Sequence, residues 1–193
     1  MIGKLMNMKQ ITAIGSSIME GWSRLGELLP EFKVQNKAVG GTQTVDWVDK
    51  AGPVIGSTAP DAVLVYIGSN DIFERSEQEI VGNVRKIYSS CCEEHPGRLF
   101  IYLSIINAPQ KAPARKKVDS INRTIRSFEG VLTGFIFLDI NPAFLGPDGG
   151  PVMSYYQDDA LHYTESGYKA LAEYAIPLIR KAMSKLLMDT PRS

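Results

Sequence analysis

The sequence predicts an α/β fold in which helices cover both faces of a parallel sheet, a three-layer α/β/α sandwich. Short apolar runs rich in β-branched and aromatic residues alternate along the chain with longer segments of helical periodicity. The composition, 44% hydrophobic and 22% charged, is that of a soluble globular protein. No internal repeat and no second domain is apparent in the 193 residues, so a single domain over 1–193 is expected.

Short apolar runs mark the predicted strands. Most of them are too brief for helices and are typical of buried parallel strands, whereas the second contains polar Gln35 and Asn36 and suits an edge strand. In chain order, the predicted strands cover 11–14, 33–39, 62–67, 99–106 and 135–140.

Segments of helical periodicity lie between these strands and after the last one. The predicted helices cover 18–29, 44–50, 77–94, 114–128 and 164–187. Pro177 is expected to kink or interrupt the last of them, which otherwise carries a continuous apolar stripe. Strand-helix alternation implies right-handed crossovers, which place helices on both faces of the sheet.

The net charge and the cysteines limit the partners and the cellular location that the sequence predicts. Lys plus Arg and Asp plus Glu number 21 each, so no net field draws the chain to nucleic acid or to an anionic membrane. The only cysteines, Cys91 and Cys92, are sequence neighbours too close for a relaxed disulfide, and no apolar stretch is long enough to span a membrane. A cytoplasmic protein with a small neutral partner is expected; a secreted protein whose signal peptide is missing from this sequence is the alternative.

Cofactor and metal signals are weak in this chain. No Gly-x-Gly-x-x-Gly follows the first strand, as a dinucleotide-binding fold requires. Cys91, Cys92 and His95 are too few for a tetrahedral zinc site, and His95 precedes Pro96 and Gly97 at a predicted helix end. We therefore expect no cofactor and no metal, and a structural role for His95.

Four short motifs lie where the site of a parallel α/β sheet is expected, beyond the carboxyl ends of the strands. They are Gly15-Ser16-Ser17, Gly40-Gly41-Thr42, Gly68-Ser69-Asn70-Asp71 and Asp159-Ala160-Leu161-His162. Each alone is typical of an ordinary turn. Together they offer a serine hydroxyl, a closely approachable backbone N–H, an amide donor and a histidine with a carboxylate three residues before it.

The order and placement of these motifs resemble those of the SGNH hydrolases, also called the GDSL esterase and lipase family, over 15–168. The resemblance implies a flavodoxin-like sheet with strand order 2-1-3-4-5. It also implies a nucleophile at Ser17, an acid and base at Asp159 and His162, and an oxyanion hole formed by Ser17, Gly41 and Asn70. Ser16 stands where the family usually has Asp, so Ser16 is the alternative nucleophile, as Gly40 is the alternative to Gly41.

The resemblance implies an esterase that forms an acyl-enzyme. Phe73, Asn107 and Tyr155 lie in loops expected to border the cleft and are predicted to bind substrate. Short-chain or acetyl esters are expected because the compact chain has no inserted lid segment; a lysophospholipase or acyl-thioesterase is the alternative within the family. In a different class, a non-catalytic flavodoxin-like module could bind flavin phosphate at the same loops. The oligomeric state is not predicted.

Overall fold

The architecture is a parallel sheet between two layers of helices. The computed structural model describes residues 8–93, 95 and 97–188, so the predicted domain 1–193 and the predicted helix end at 94 extend outside the described residues. The sheet has the order β2-β1-β3-β4-β5, which confirms the predicted fold class and strand order. Its strands are β1 (Gln10–Gly15), β2 (Lys33–Asn36), β3 (Ala62–Tyr66), β4 (Leu99–Leu103) and β5 (Phe135–Leu138).

Helices connect the strands and close the chain. They are α1 (Ser17–Glu20), α2 (Leu25–Leu28), α3 (Thr44–Val48), α4 (Ala51–Thr58), α5 (Glu77–Cys92), α6 (Arg115–Arg126) and α7 (Glu165–Met188). Short 3₁₀ helices cover Pro109–Ala114, Asn141–Phe144 and Met153–Tyr155. In the part of the chain that the structure describes, no helix is both long and apolar enough to cross a membrane.

The alternating side chains of the strands divide the core into two clusters. Leu64 and Tyr66 of β3 pack with α1, α2 and α7, whereas Val63 and Val65 pack with α3, α4, α5 and α6. Because successive residues of a strand point to opposite faces, one central strand contributes to both cores. Helix α1, which begins at Ser17, and the last helix α7 therefore share one layer.

The predicted helix 18–29 was wrong as a single element, and the helix α4 was not predicted. The segment 18–29 forms two short helices, separated after Gly21, the residue that ends α1. Glycine allows close packing there, since an added Cβ would lie 2.1 Å from the Tyr168 hydroxyl. Helix α4 was missed because Gly52, Pro53 and Gly56 have low helix propensity. Its Ala51 and Ile55 are buried in the core, and this packing outweighs the local preference.

Pro177 does not interrupt α7, which runs without a break from Glu165 to Met188. Proline removes one backbone hydrogen bond and crowds the preceding turn. The neighbouring Ile176 and Ile179 are 5% and 0% exposed, so burial of this face stabilises the helix through the proline.

Candidate active site

The turn after β1 presents Ser17 and buries Ser16. Gly15 has φ of +134°, and a Cβ there would lie 1.9 Å from the Tyr66 carbonyl oxygen, so the turn requires glycine. Ser16 donates its backbone N–H to the same oxygen at 3.0 Å and is 1% exposed, with no hydrogen-bond partner for its hydroxyl. Ser17 is half-buried at the start of α1. Of the two hydroxyls, that of Ser17 is the one a substrate can reach.

Ser17, His162 and Asp159 form a hydrogen-bonded series. The Ser17 Oγ lies 2.9 Å from His162 Nε2, and His162 Nδ1 lies 2.5 Å from Asp159 Oδ2. An ionised carboxylate can only accept a hydrogen bond, so Nδ1 carries the proton and donates it, and Nε2 accepts from the serine. The structure therefore brings these predicted residues together across 145 positions of sequence.

Asp159 is held by local donors at the surface. Its Oδ1 accepts from the backbone N–H groups of Leu161 and His162, both at 2.9 Å. The hydrogen bond from His162, and then these backbone donors, lower the pKa of Asp159 to about 2. The side chains of His162 and Asp159 are 38% and 46% exposed, so this side of the site is open to solvent.

The loop that carries Asp159 and His162 is held by one hydrogen bond within it and by another just after it. The Ala160 carbonyl accepts the backbone N–H of Gln110 at 3.0 Å, although Ala160 has φ of +56°, a region that favours glycine. After the loop, the Thr164 hydroxyl accepts from the Gly167 N–H at 3.2 Å and caps α7, as expected for a threonine at a helix start. These contacts keep the imidazole directed at Ser17.

The loops after β2 and β3 meet beside the turn that carries the serine. Gly41 has φ of +74°. The Asn70 Nδ2 donates to the Thr42 carbonyl oxygen at 3.0 Å, and the Val39 N–H donates to the Gly15 carbonyl at 2.9 Å. Asn70 has two amide hydrogens, so one remains after the Thr42 contact. Ser17, Gly41 and Asn70, predicted to form one site, lie on loops that are hydrogen-bonded to one another.

The three residues predicted to bind substrate have different surroundings. Phe73 is 56% exposed, and its ring centroid lies 5.7 Å from Lys111 Nζ. Tyr155 accepts the Thr164 N–H at 3.0 Å through its carbonyl and lies beside the start of α7. Asn107 donates to Asp119 at 2.7 Å and lines a cavity of about 190 Å³ formed by loops after β4 and β5, a lining that does not include Ser17 or His162. Only Phe73 combines exposure with a position close to Asn70 in the chain.

Sequence reasoning gave no role to two buried residues next to the site. Asp71, 0% exposed, directly follows Asn70, and Lys111, 2% exposed, follows the loop residue Gln110. Asp71 was visible in its motif, but nothing in the sequence shows what it contacts. Among the described residues, no cluster of three or more His, Cys, Asp or Glu side chains could hold a metal ion.

Comparison with known proteins identifies similar chains. Residues 13–170 match the profile of the GDSL-like Lipase/Acylhydrolase family. The chain is 25% identical over 162 residues to human platelet-activating factor acetylhydrolase IB subunit alpha1, covering 82% of this chain and 69% of that protein. It is 20% identical to the lipase/acylhydrolase from Enterococcus faecalis, with a TM-score of 0.74 over 90% of this chain and 96% of that one. A carbohydrate esterase family 3 structure from Talaromyces cellulolyticus is 18% identical, with a TM-score of 0.74 over 92% and 99%. These structures share the fold.

Proposed function

Because the chain belongs to the GDSL-like lipase/acylhydrolase family, we propose that it is a serine esterase that hydrolyses short-chain or acetyl carboxylic esters through an acyl-enzyme. The observation that carries the proposal is the series of hydrogen bonds from Ser17 through His162 to Asp159, at 2.9 and 2.5 Å. A hydroxyl, an imidazole and a carboxylate in this order are the groups that acyl transfer by a serine requires.

Acylation begins when the Ser17 Oγ attacks the ester carbonyl carbon. His162 Nε2 takes the serine proton as the bond forms, and the imidazolium is stabilised by its Nδ1–H hydrogen bond to Asp159. The same imidazolium then protonates the leaving alcohol. Since the pKa of Asp159 is about 2, its carboxylate is ionised throughout the neutral range and can stabilise this positive charge.

The negative charge of the tetrahedral intermediate would lie between three donors. These are the backbone N–H groups of Ser17 and Gly41 and the second amide hydrogen of Asn70, whose first is held by the Thr42 carbonyl at 3.0 Å. Because that contact orients the amide before substrate binds, little reorganisation is needed during the reaction. Water activated by His162 then attacks the acyl-enzyme and releases the acid.

The open setting of the triad supports a short acyl group. His162 and Asp159 are 38% and 46% exposed, and cavities of about 790 and 190 Å³ are lined by residues other than the triad. An acyl chain that extends along the open side of His162 and Asp159 would keep its CH₂ groups in water, at about 0.8 kcal/mol for each one left unburied. Phe73 offers an exposed apolar wall near Asn70. The acetylhydrolase similarity points in the same direction.

The free cysteines bear on where the esterase works. Cys91 and Cys92 are both unpaired and buried, and burial raises the pKa of each thiol to about 12. Protonated, buried thiols are unreactive, and a chain without disulfides suits a reducing compartment. We place the protein in the cytoplasm, acting on small-molecule esters.

The test is a panel of p-nitrophenyl esters from acetyl to dodecanoyl. We expect the highest kcat/KM for acetyl or butyryl, and losses of about 10⁴-fold or more in Ser17→Ala and His162→Ala with little change in melting temperature. Ser16→Ala is the matched control, because it removes the adjacent hydroxyl, and should keep activity. Mass spectrometry after a fluorophosphonate should find the adduct on Ser17.

Three outcomes would contradict the proposal. An adduct on Ser16, or retained turnover in Ser17→Ala, would refute the assignment of the nucleophile. A maximum at dodecanoyl would refute the short acyl group while leaving the triad intact.

A further inference from the structure

A buried carboxylate lies directly beside the proposed oxyanion amide. Asp71 follows Asn70 in the chain and is 0% exposed. Both of its oxygens accept from the Thr44 backbone N–H at 3.1 Å, and the Thr44 hydroxyl donates to Oδ1 at 2.5 Å. Arg75 Nε lies 3.5 Å from the same oxygen. Burial raises the pKa of Asp71, and the hydrogen bonds from Thr44 oppose that shift.

Thr44 connects this carboxylate to the other loop of the oxyanion site. It is the first residue of α3 and stands two positions after Thr42, whose carbonyl accepts the Asn70 amide at 3.0 Å. Its hydroxyl also accepts from Asn83 Nδ2 on α5 at 3.0 Å. The loop of Gly41 and Thr42 therefore ends at a residue held by Asp71.

A second contact braces the same loop from the same side. Gln43, between Thr42 and Thr44, accepts from Arg75 Nε at 3.0 Å through its side-chain oxygen and donates to the Glu74 carboxylate. Residues after Asn70 thus form hydrogen bonds with both residues that follow Thr42. Of the three side chains that hold this loop, those of Asp71, Glu74 and Arg75, only that of Asp71 has no exposure to solvent.

We propose that Asp71 is a positioning residue for the oxyanion hole. By holding the start of α3 through Thr44, it sets the place of the Thr42 carbonyl and, through that carbonyl, the orientation of the Asn70 amide. This inference rests on the proposed esterase function, because it assigns Asp71 a part in stabilising the intermediate of that reaction.

The chemistry of the contact explains why a carboxylate is needed. Thr44 presents two donors to Asp71: its hydroxyl and its N–H both reach Oδ1, and the N–H is shared with Oδ2. In Asp71→Asn an amide oxygen in the place of Oδ1 leaves the NH₂ group in the place of Oδ2, where it faces the shared Thr44 N–H, so a donor meets a donor in a buried place. The start of α3 must move, or the amide must turn away, and in both cases the Thr42 carbonyl shifts.

The first experiment measures steady-state kinetics of Asp71→Asn on p-nitrophenyl acetate. We expect kcat to fall about 10- to 100-fold with KM within about two-fold, since a misdirected donor weakens the transition state more than the substrate complex. Asp61→Asn is the matched control, because Asp61 lies at the other end of β3. Its carboxylate accepts a hydrogen bond from the Gln10 N–H at 2.7 Å and forms an ion pair with Lys9. It should keep kcat.

A double-mutant cycle separates positioning from a general structural defect. If Asp71 acts through Asn70, the double variant Asp71→Asn/Asn70→Ala should lie within about three-fold of Asn70→Ala alone. Losses that multiply would overturn the proposal, as would a loss in Asp71→Asn no larger than that in Asp61→Asn.

A readout without turnover distinguishes failure of this inference from failure of the esterase proposal. The side-chain amide resonances of Asn70, assigned by their loss in Asn70→Ala, should shift in Asp71→Asn and stay in Asp61→Asn. If Asp71→Asn does not fold, Thr44→Val removes only the hydroxyl donor and should shift the same resonances. Unmoved resonances in Thr44→Val would then overturn the proposal, whereas an inactive wild-type protein with shifted resonances would overturn the esterase function alone.

Discussion

Two carboxylates of the site are held in opposite ways. Asp71, on the side of Asn70, is 0% exposed, and burial raises its pKa. Asp159, on the side of His162, has a side chain 46% exposed, and the hydrogen bond from the imidazole and the backbone N–H groups lower its pKa to about 2. The first region is built like a protein core, and the second like a surface turn.

The reach of the contacts follows the same division. The bonds from Asn70 to Thr42 and from Thr44 to Asp71 join residues 28 and 27 positions apart. Those that hold Asp159 join it to residues two and three positions away. A substitution on the Asn70 side therefore disturbs packing between loops, whereas one in the turn of Asp159 changes chemistry with little effect on the fold.

The largest expected effect that isolates the exposed side is that of Asp159→Asn. We expect kcat to fall about 10²- to 10⁴-fold, because the amide no longer stabilises the imidazolium. The melting temperature at neutral pH should fall slightly, because the hydrogen bond from His162 is lost but the Asp159 side chain is 46% exposed and solvent weakens that bond. Ester turnover and thermal unfolding of the same samples give both quantities. The matched control is Asp158→Asn, an exposed neighbour, and an equal loss there would contradict the role given to Asp159.

The lowered pKa of Asp159 also has a signed effect on stability. Its folded pKa of about 2 lies below its ordinary value of 3.8, so its contribution is fully present above about pH 4 and is lost as pH falls toward 2. The difference in melting temperature between wild type and Asp159→Asn should therefore shrink between pH 4 and pH 2. A difference that is constant over this range would show that the hydrogen bond from His162 is weak in solution.

A buried cation between the two regions carries the next prediction. Lys111 is 2% exposed; its Nζ contacts Gln110 Oε1 at 3.2 Å and the ring of Phe73. Burial lowers its pKa to about 8. The difference between this pKa and the ordinary value of 10.5 sets an upper limit of about 3 kcal/mol on the cost of burying the charge, and the cation–π contact partly offsets that cost. Lys111→Met should therefore raise the free energy of unfolding by about 1–3 kcal/mol at pH 7.

The direction in which stability changes with pH follows from the folded and unfolded pKa values of Lys111. Between about pH 8 and 10.5 the unfolded chain holds a proton on Lys111 that the folded chain has released, so this residue makes stability rise with pH. The difference in free energy of unfolding between Lys111→Met and wild type, measured by urea unfolding, should therefore shrink from pH 7 to pH 10. Lys116→Met, at an exposed position of α6, is the control and should stay near zero at both pH values. A destabilised Lys111→Met would mean that its cation is needed.

What the sequence could predict depends on the range of the interactions involved. Strands and the motifs at their ends were predictable because apolar runs and strand-end glycines are local features, and the resemblance added the strand order that brings Ser17, Gly41 and Asn70 near one another. Helix α4 was not predictable, because the burial of Ala51 and Ile55 overrides the low helix propensity of its glycines. Asp71 and Lys111 were not, because the partners of a buried charge are set only when distant segments pack.

The smallest expected effect concerns Tyr168, which joins the two regions. Its hydroxyl donates to the Ile18 carbonyl in α1 at 3.2 Å, from the first turns of the helix that follows the His162 loop. Burial raises its pKa to about 12, so the donor persists throughout assay conditions. Tyr168→Phe should lower the free energy of unfolding by about 1 kcal/mol. It should lower kcat by less than ten-fold, which corresponds to less than about 1.4 kcal/mol in the activation free energy. Tyr174→Phe, 36% exposed on the same helix, is the control. Identical urea midpoints and kcat values for the two variants would show that the Ile18 contact does not hold α1 in place.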